Sequence, residues 1–185
     1  MFSKGSKSGG PMSLNKREVP SSDEEIKNKI LEELFLTYKT PIYQFIYRYS
    51  QDEQLSIDLV QDTFVRFHKY HDHFDETKSS IKTYLFRIAY QLMVNRLKKR
   101  KRWKKLLPFL YQQKEREHVS YEDKLTIQHA IRKLPEHQRA VIILTYYHDL
   151  HQREIAEILE IPVGTVKSRL HTSLKRLRQL LEGNK

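Results

Sequence analysis

The sequence predicts an all-α fold made of two small helical domains joined by a linker. Apolar residues recur every three or four positions through most of the chain, and no alternating strand pattern stands out. The 5 glycines and 6 prolines are too few to supply the turns of a many-stranded fold. The length of 185 residues suits one ordinary domain or two small ones.

Four segments follow from the composition along the chain. Residues 1–22 are rich in Ser, Gly and Lys, and we expect a disordered tail there. Residues 23–107 form the first predicted domain, and 121–185 form the second. The polar stretch 108–120, which begins with a proline, is the predicted linker.

The first domain is predicted to contain four helices, beginning near Asp23, after Pro41, near Asp52 and after a polar loop at 70–80. The predicted buried stripes are Ile26, Ile30 and Leu34; Ile42, Phe45, Ile46 and Tyr49; Leu55, Leu59, Val60, Phe64 and Phe67; and Leu85, Ile88, Ala89 and Leu92. The opposite faces of the last two helices carry polar side chains. One face carries Asp58, Gln61, Asp62 and Arg66, and the other carries Thr83, Arg87, Gln91, Asn95 and Lys98.

The charge balance points to a polyanionic partner. Lys and Arg number 34 against 23 Asp and Glu, which gives a formal net charge of +11. Residues 98–105 (KKRKRWKK) concentrate this charge and are predicted to form a phosphate-binding strip on nucleic acid, with an acidic membrane surface as the alternative partner. Among the neighbouring aromatics, Tyr84 and Trp103 are candidates for stacking on unpaired bases, whereas Phe86 is assigned to the core.

The composition also excludes several kinds of chemistry. The chain has no cysteine, which rules out disulfides, thiolate metal sites and cysteine nucleophiles. No apolar run approaches the length of a membrane span, and the first residues lack the apolar core of a signal peptide. We therefore expect a cytoplasmic protein that carries no cofactor.

Residues 152–181 have the pattern of a helix-turn-helix. Ile155, Ala156 and Leu159 form the inner face of a short helix, and 160–162 form the turn. The second helix is predicted to bury one face throughout, through Val163, Val166, Leu170, Leu174, Leu177 and Leu181. Its outer face is polar and basic, as in helices that read the major groove. Lys167, Ser168 and His171 are placed for base edges, and Arg169, Lys175 and Arg176 for phosphates.

The segments DLVQDTFVRFHKY (58–70), KTYLFRIAYQLMVNRLKKRKR (82–102), LPEHQRAVIIL (134–144) and EIAEILEIPVGTVKSRLHTSLKRLR (154–178) occur in this order. Together they resemble the extracytoplasmic-function group of bacterial sigma factors over about residues 25–183. The resemblance implies a non-enzymatic subunit that directs RNA polymerase to promoters in a stress or envelope response. The chain departs from the group at Tyr84, where Trp is common, and at Gln91 within IAYQ.

The resemblance also implies three sets of contact residues. The polymerase core would contact Asp58, Gln61, Asp62 and Thr63. The minus-ten element, with one base flipped into a pocket, would contact Lys78, Ser79, Thr83, Tyr84, Arg87, Gln91, Asn95 and Lys98. The minus-thirty-five element would contact Thr165, Lys167, Ser168, Arg169, His171, Thr172, Lys175 and Arg176. An anti-sigma factor is implied as a further partner, and no small-molecule substrate is expected.

Two other functions compete with this interpretation. A stand-alone helix-turn-helix regulator would use the second domain alone, and it would leave the acidic face of the first domain unexplained. A metal-dependent hydrolase would need the loop cluster of His68, His71, Asp72, His73 and Asp75, the only grouping of ligand types in the chain.

Overall fold

The protein is helical in both stretches that a computed structural model describes, 22–106 and 127–182. Seven α-helices lie in these stretches: α1 (Ser22–Ser50), α2 (Glu53–Tyr70), α3 (Ile81–Leu106), α4 (Ile127–Arg132), α5 (Glu136–His148), α6 (Gln152–Leu159) and α7 (Val163–Glu182). The predicted all-α class is confirmed. The predicted linker and most of the predicted tail lie outside the described residues. No helix within the two described stretches has the length and apolar character needed to cross a bilayer.

Helix α1 runs through Pro41, although the sequence predicted two separate helices there. A proline inside a helix removes one backbone hydrogen bond and costs about 3 kcal/mol or more. The apolar face continues on both sides of it, with Leu34 and Tyr38 partly buried before it and Ile42 and Phe45 fully buried after it. This tertiary packing offsets the local cost and keeps one continuous helix.

The side chain of Asp52 fixes the start of α2. Its Oδ1 accepts a hydrogen bond from the backbone N–H of Leu55 at 3.0 Å. That bond, aided by the guanidinium of Arg100, lowers the pKa of the Asp52 carboxyl. Gln51, which joins α1 to α2, has a φ of 56°, so the chain turns through the left-handed region before the cap.

The core of the N-terminal half (22–106) agrees with most of the predicted stripes. The predicted residues found buried are Ile42, Phe45, Ile46, Tyr49, Leu55, Leu59, Val60, Phe64, Phe67, Leu85, Ile88 and Ala89. Ile30 was predicted to be buried but is 52% exposed. It lies beside His71, where α2 has already ended and no longer covers the first turns of α1.

The C-terminal half (127–182) contains the predicted helix-turn-helix as α6 and α7. Glu160 ends α6 with a φ of 54°, and the N–H of Ile161 donates to the carbonyl of Ala156 at 3.0 Å. The prediction that α7 buries one face throughout is wrong for its later turns, where Leu174 is 42% exposed. Ser173 is fully buried in its place, because a small side chain lets the neighbouring helices α4 and α5 approach α7 closely.

The two halves pack directly against each other. Helix α1 contacts α5, and α3 contacts α6. Arg139 Nη1 donates to the carbonyl of Tyr49 at 2.9 Å, and the guanidinium of Arg48 lies 3.9 Å from the centre of the Tyr147 ring. The packing matters for function because it decides which faces of α3 and α6 remain open.

Candidate nucleic-acid interface

The polar face of α2 presents carboxylates at the surface, as predicted. Asp62 Oδ2 accepts from Arg96 Nη2 at 3.0 Å, and Asp58 Oδ1 accepts from Gln54 Nε2 at 2.9 Å. The side chains of Asp62 and Arg96 remain 45% and 50% exposed. An ion pair at this exposure contributes little stability. The Asp62 carboxylate can therefore exchange Arg96 for a basic partner at small cost.

Thr63 does not belong to this face. Its side chain is fully buried, and its Oγ1 donates to the carbonyl of Leu59 at 2.6 Å. The prediction that Thr63 touches a partner is contradicted by this burial. A threonine hydroxyl bonded to the carbonyl four residues earlier is a common arrangement inside a helix.

The sequence did not predict an apolar groove that lies beside the acidic face. It encloses about 280 Å³ between α1 and α2, and its lining includes Phe35, Tyr43, Ile57, Val60 and Gln61. Ile57 is 40% exposed. The apolar side chain of Ile57 on the polar side of α2 was the sequence feature that could have indicated this groove. Acidic and apolar groups side by side suit a protein partner better than a nucleic acid.

Three side chains predicted to contact the minus-ten element meet the C-terminal half instead. They face Glu154 and Glu157 of α6 and Glu160 at the C-terminal cap of that helix, three glutamates that we call the acidic edge. The three contacts are Thr83 Oγ1 to Glu154 Oε1 at 3.2 Å, Arg87 Nη1 to Glu157 Oε1 at 3.8 Å, and Gln91 Nε2 to Glu160 Oε1 at 2.7 Å. The predicted open polar face of α3 is thus covered where it packs on α6, and Thr83 is only 1% exposed.

A cavity of about 460 Å³ opens next to this contact. It is lined by Arg66, Tyr70, Tyr84, Arg87, Ile88, Gln91 and Glu160. The centre of the Tyr84 ring lies 4.9 Å from the centre of the Phe74 ring. The guanidinium of Arg87 lies 5.1 Å from the centre of the Tyr84 ring. Aromatic faces and guanidinium donors together can stack on an unpaired base and hydrogen-bond its edge. Arg66 and Tyr70 were not predicted to line this site, although they recur at helical spacing at the end of α2.

The remaining residues that were predicted to contact the minus-ten element do not touch the acidic edge. Lys78, Asn95 and Lys98 are exposed, and Ser79 is partly buried. Lys78 Nζ lies 2.7 Å from Asp75 Oδ2. Hydrogen bonds from Lys78 and then Thr77 lower the pKa of the Asp75 carboxyl. Lys98 and the Lys78 side chain, which is 80% exposed despite its pairing with Asp75, remain accessible to phosphates.

The basic run 98–105 forms the last turns of α3. Arg100 Nη1 pairs with Asp52 Oδ2 at 2.7 Å, and Lys101 Nζ pairs with Glu136 of α5. Trp103 is 47% exposed, whereas Phe86 is fully buried, as predicted. The run therefore combines internal ion pairs with an open aromatic ring.

A histidine of the C-terminal half is buried in the core of the N-terminal half. His148, the last residue of α5, is 6% exposed. Its ring packs edge-on to Phe45 at 5.9 Å and to Phe86 at 4.9 Å, and Lys82 Nζ donates to its carbonyl at 2.8 Å. Burial, followed by the charges of Lys82 and Arg48, lowers the pKa of His148 to about 4. The imidazole is therefore neutral at pH 7.

This burial predicts that acid weakens the fold. An unfolded histidine titrates near 6.5, so the folded state resists protonation between pH 6.5 and about 4, and stability is lost as the pH falls through that window. We expect the free energy of unfolding to drop by about 2 kcal/mol between pH 7 and pH 5. Urea denaturation at both pH values measures it. The variant His148→Leu should remove most of this difference, and an equal loss in that variant would assign the effect elsewhere.

Helix α7 presents its predicted cationic face to solvent. The residues found exposed are Lys167, Ser168, His171, Thr172, Lys175 and Arg176. Thr165 and Arg169 are only partly buried. The hydroxyls of Ser168 and Thr172 donate to the carbonyls of Thr165 and Ser168, at 3.0 and 2.8 Å. The turn at 160–162 aims the first turns of α7 outward, as in helices that enter a major groove.

Of the histidines considered as metal ligands, His68 lies in the last turn of α2 and His71 directly follows that helix. The rings of His68 and His71 stack 5.9 Å apart, and His71 Nε2 lies 3.1 Å from Asp72 Oδ1. Among the side chains that the structure describes, which do not include that of His73, no three His, Asp or Glu are placed to hold a metal ion.

An acidic helix, a cavity suited to an unpaired base and a cationic helix-turn-helix define a DNA-binding protein with a separate protein-docking face. The sigma-70 region 2 family matches residues 34–103, and the sigma-70 region 4 family matches residues 124–177. Over 187 residues, the chain is 35% identical to the ECF RNA polymerase sigma factor SigW of Bacillus subtilis, covering 92% of this chain and 97% of SigW. It is 32% identical over 134 residues to the ECF RNA polymerase sigma factor RpoE of Cereibacter sphaeroides, covering 70% and 72% of the two chains.

Solved structures share the fold. The sigma factor RpoE in complex with the anti-sigma factor NepR from Bartonella quintana matches with a TM-score of 0.70 at 24% identity, covering 85% of this chain and 99% of that one. CnrH, in complex with the cytosolic domain of CnrY, matches with a TM-score of 0.64 at 24% identity, covering 85% and 91%. The chain belongs to the ECF family of RNA polymerase sigma factors.

Proposed function

We propose that this chain docks on bacterial RNA polymerase through α2 and directs it to promoters with two sequence elements, in a stress or envelope response. The observation that carries the proposal is that two separate helices of one chain carry surfaces whose chemistry suits DNA. Helix α3 borders a cavity with the size and lining for one base, and α7 presents an exposed cationic face. The chain contributes recognition, and the polymerase carries out the chemistry. We expect this activity in the cytoplasm, because bacterial transcription takes place there.

The minus-ten element is assigned to the cavity and to the cations around it. Tyr84 and Arg87 provide the stacking surface, and Gln91 offers an amide to a base edge. We add Arg66 and Tyr70 to the predicted set, because they line the same cavity. Lys78, Asn95 and Lys98 are assigned to the surrounding backbone and Ser79 to the rim. Thr83, which is 1% exposed and donates to Glu154, would contact DNA only after α6 has moved away from α3.

The minus-thirty-five element is assigned to the exposed face of α7. Lys167, Ser168 and His171 lie in its first half, which enters the groove in this motif. Arg169, Lys175 and Arg176 are assigned to phosphates, and Thr165 and Thr172 complete the surface. Phosphate contacts set the register, and base contacts set the sequence.

An anti-sigma factor is included among the proposed partners. RpoE of Bartonella quintana, which shares this fold, was solved with one. In this chain the apolar groove between α1 and α2 offers a surface of suitable chemistry, with Phe35 and Ile57 at 36% and 40% exposure. Occupation of that groove would compete with polymerase docking on the adjoining acidic face.

In vitro transcription on a promoter library, using purified core polymerase with and without this chain, tests the proposal. We expect discrete start sites that require the chain and share two upstream elements. A stand-alone regulator would bind duplex sites without polymerase and would give no new start sites. Absence of initiation by a folded chain with a cognate core enzyme would contradict the proposal and favour that second function.

Replacement of Lys167 by alanine separates base reading from phosphate contact. If Lys167 reads a base edge, the change should cost about 1–3 kcal/mol and relax preference at one promoter position. Transcription from single-base variants of the minus-thirty-five element measures both effects. The matched control is Lys175→Ala, which should weaken all variants equally. Equal weakening by Lys167→Ala would assign that side chain to a phosphate.

A further inference from the structure

The acidic edge of α6 occupies the surface to which the proposed function assigns the minus-ten element. Its three carboxylates meet α3 in register. Partners 83, 87 and 91 advance by four residues along α3, while Glu154 and Glu157 are three residues apart on α6 and Glu160 is the C-terminal cap of that helix. The spacing keeps the three α3 residues on one helix face, and it does the same for Glu154 and Glu157. The contact therefore runs for two helical turns and is not confined to a single ion pair.

The acidic edge also offers the kind of acceptor that the minus-ten surface would find on DNA. Arg87 and Gln91 are donors, and promoter DNA presents phosphate oxygens and base acceptors to them. Glu157 and Glu160 present carboxylate oxygens to the same donors, at 3.8 and 2.7 Å. Glu160 also lines the cavity assigned to the base. The acidic edge and promoter DNA therefore cannot contact Arg87 and Gln91 at the same time.

We propose that the free chain inhibits itself, with the acidic edge of α6 standing in for promoter DNA on α3 until the two halves separate. This inference rests on the proposed function and names the regulation of that same site. The closed form is held by apolar and backbone contacts elsewhere, where His148 sits between Phe45 and Phe86 and Arg139 donates to Tyr49. In this closed form, in which the two halves are packed together, the acidic edge determines which DNA-contacting residues of α3 are blocked.

The blocking contacts are of a kind that a partner can displace. The side chains of Arg87 and Glu157 are 31% and 32% exposed, and the bond between Gln91 and Glu160 is exposed. Pairs at this exposure contribute little individually and are screened by salt. Polymerase that binds the two halves in a separated arrangement would therefore have to break mainly the apolar contacts around His148.

A cross-linking comparison is available because the sequence has no native cysteine. Lys101 and Glu136 form an ion pair across the two halves, with side chains 62% and 52% exposed. Lys101 belongs to the basic run 98–105, but its charge is absent from both the linked and the capped form described next, so the comparison between those forms does not depend on it. The full-length variant Lys101→Cys/Glu136→Cys is treated with a short bismaleimide to lock the closed form. The same variant capped with N-ethylmaleimide is the unlinked control.

We expect the locked form to lose at least about tenfold in transcription with core polymerase, relative to the capped control. Equal activity of the two forms would overturn the inference while leaving the proposed function intact. If the wild-type chain and the capped control both fail to initiate, the proposed function fails and this inference falls with it.

A second measurement isolates the acidic edge from the geometry of the closed form. The variant Glu157→Gln/Glu160→Gln spares Glu154, whose Oε2 accepts from the backbone N–H of His151 at the start of α6. Binding of a labelled single strand carrying the minus-ten element is measured without polymerase. We expect affinity to rise about fivefold or more over wild type.

The matched control is Glu32→Gln/Glu33→Gln, which removes the same charge from exposed positions on α1. It should leave strand affinity nearly unchanged. An equal rise in both variants would mean that net charge alone controls binding, and the inference would be overturned. A rise confined to the α6 variant supports it.

Discussion

Replacement of Asp62 by lysine should weaken binding to core polymerase by roughly one to three orders of magnitude, since like charges brought together at an interface cost several kcal/mol. Asp62 lies on the exposed acidic face of α2, beside the apolar groove. The fold should survive, because the pair with Arg96 that this change removes is about half exposed. Affinity of a labelled chain for core enzyme without DNA measures the effect.

The variant Arg96→Ala is the control for that experiment. It removes the same internal ion pair but leaves the Asp62 carboxylate free. Affinity for polymerase should stay within about threefold of wild type, as for an exposed pair of small net worth. If Arg96→Ala weakens binding as much as Asp62→Lys does, the pair acts by positioning α2, and Asp62 is not a direct contact.

The helical periodicity of the sequence predicted the all-α class and most of the core. Phe64, Phe67 and Leu85 were predicted to be buried and are buried. The same reasoning failed where a neighbouring element, rather than the helix itself, decides burial. Ile30 lies beyond the end of α2, and Ser173 replaces Leu174 against the helices that pack on α7. Periodicity describes one helix, and its errors lie where a second helix ends or approaches closely.

The sequence could not show that the candidate site is covered. Thr83, Arg87 and Gln91 fell on one polar face at helical spacing, and a polar face is ordinarily predicted to meet solvent. The partner residues lie about 70 positions later in the chain, at separations of 71 and 69 for the two hydrogen bonds. Only packing of the two halves brings them together. Glu157 had no role in the sequence reasoning, and Glu160 was predicted only as part of the turn at 160–162.

Truncation of Phe45 to alanine should cause the largest loss of stability in the described part of the chain, about 3–5 kcal/mol. The Phe45 ring is fully buried and packs 5.5 Å from Phe86 and 5.9 Å from His148. It therefore supports both the core of the N-terminal half and the seam with the C-terminal half. Because typical domains are stable by only 5–15 kcal/mol, the variant should unfold at much lower urea concentration.

Two further changes on α1 make that expectation decisive. Phe45→Leu keeps an apolar side chain of nearly the same reach and should cost about 1–2 kcal/mol. Leu36→Ala, at a position 57% exposed on the same helix, should cost less than about 1 kcal/mol. Equilibrium urea unfolding followed by helical circular dichroism gives all three values. If Phe45→Ala costs no more than Leu36→Ala, the seam around His148 does not hold the two halves together in solution, and the closed form loses its main support.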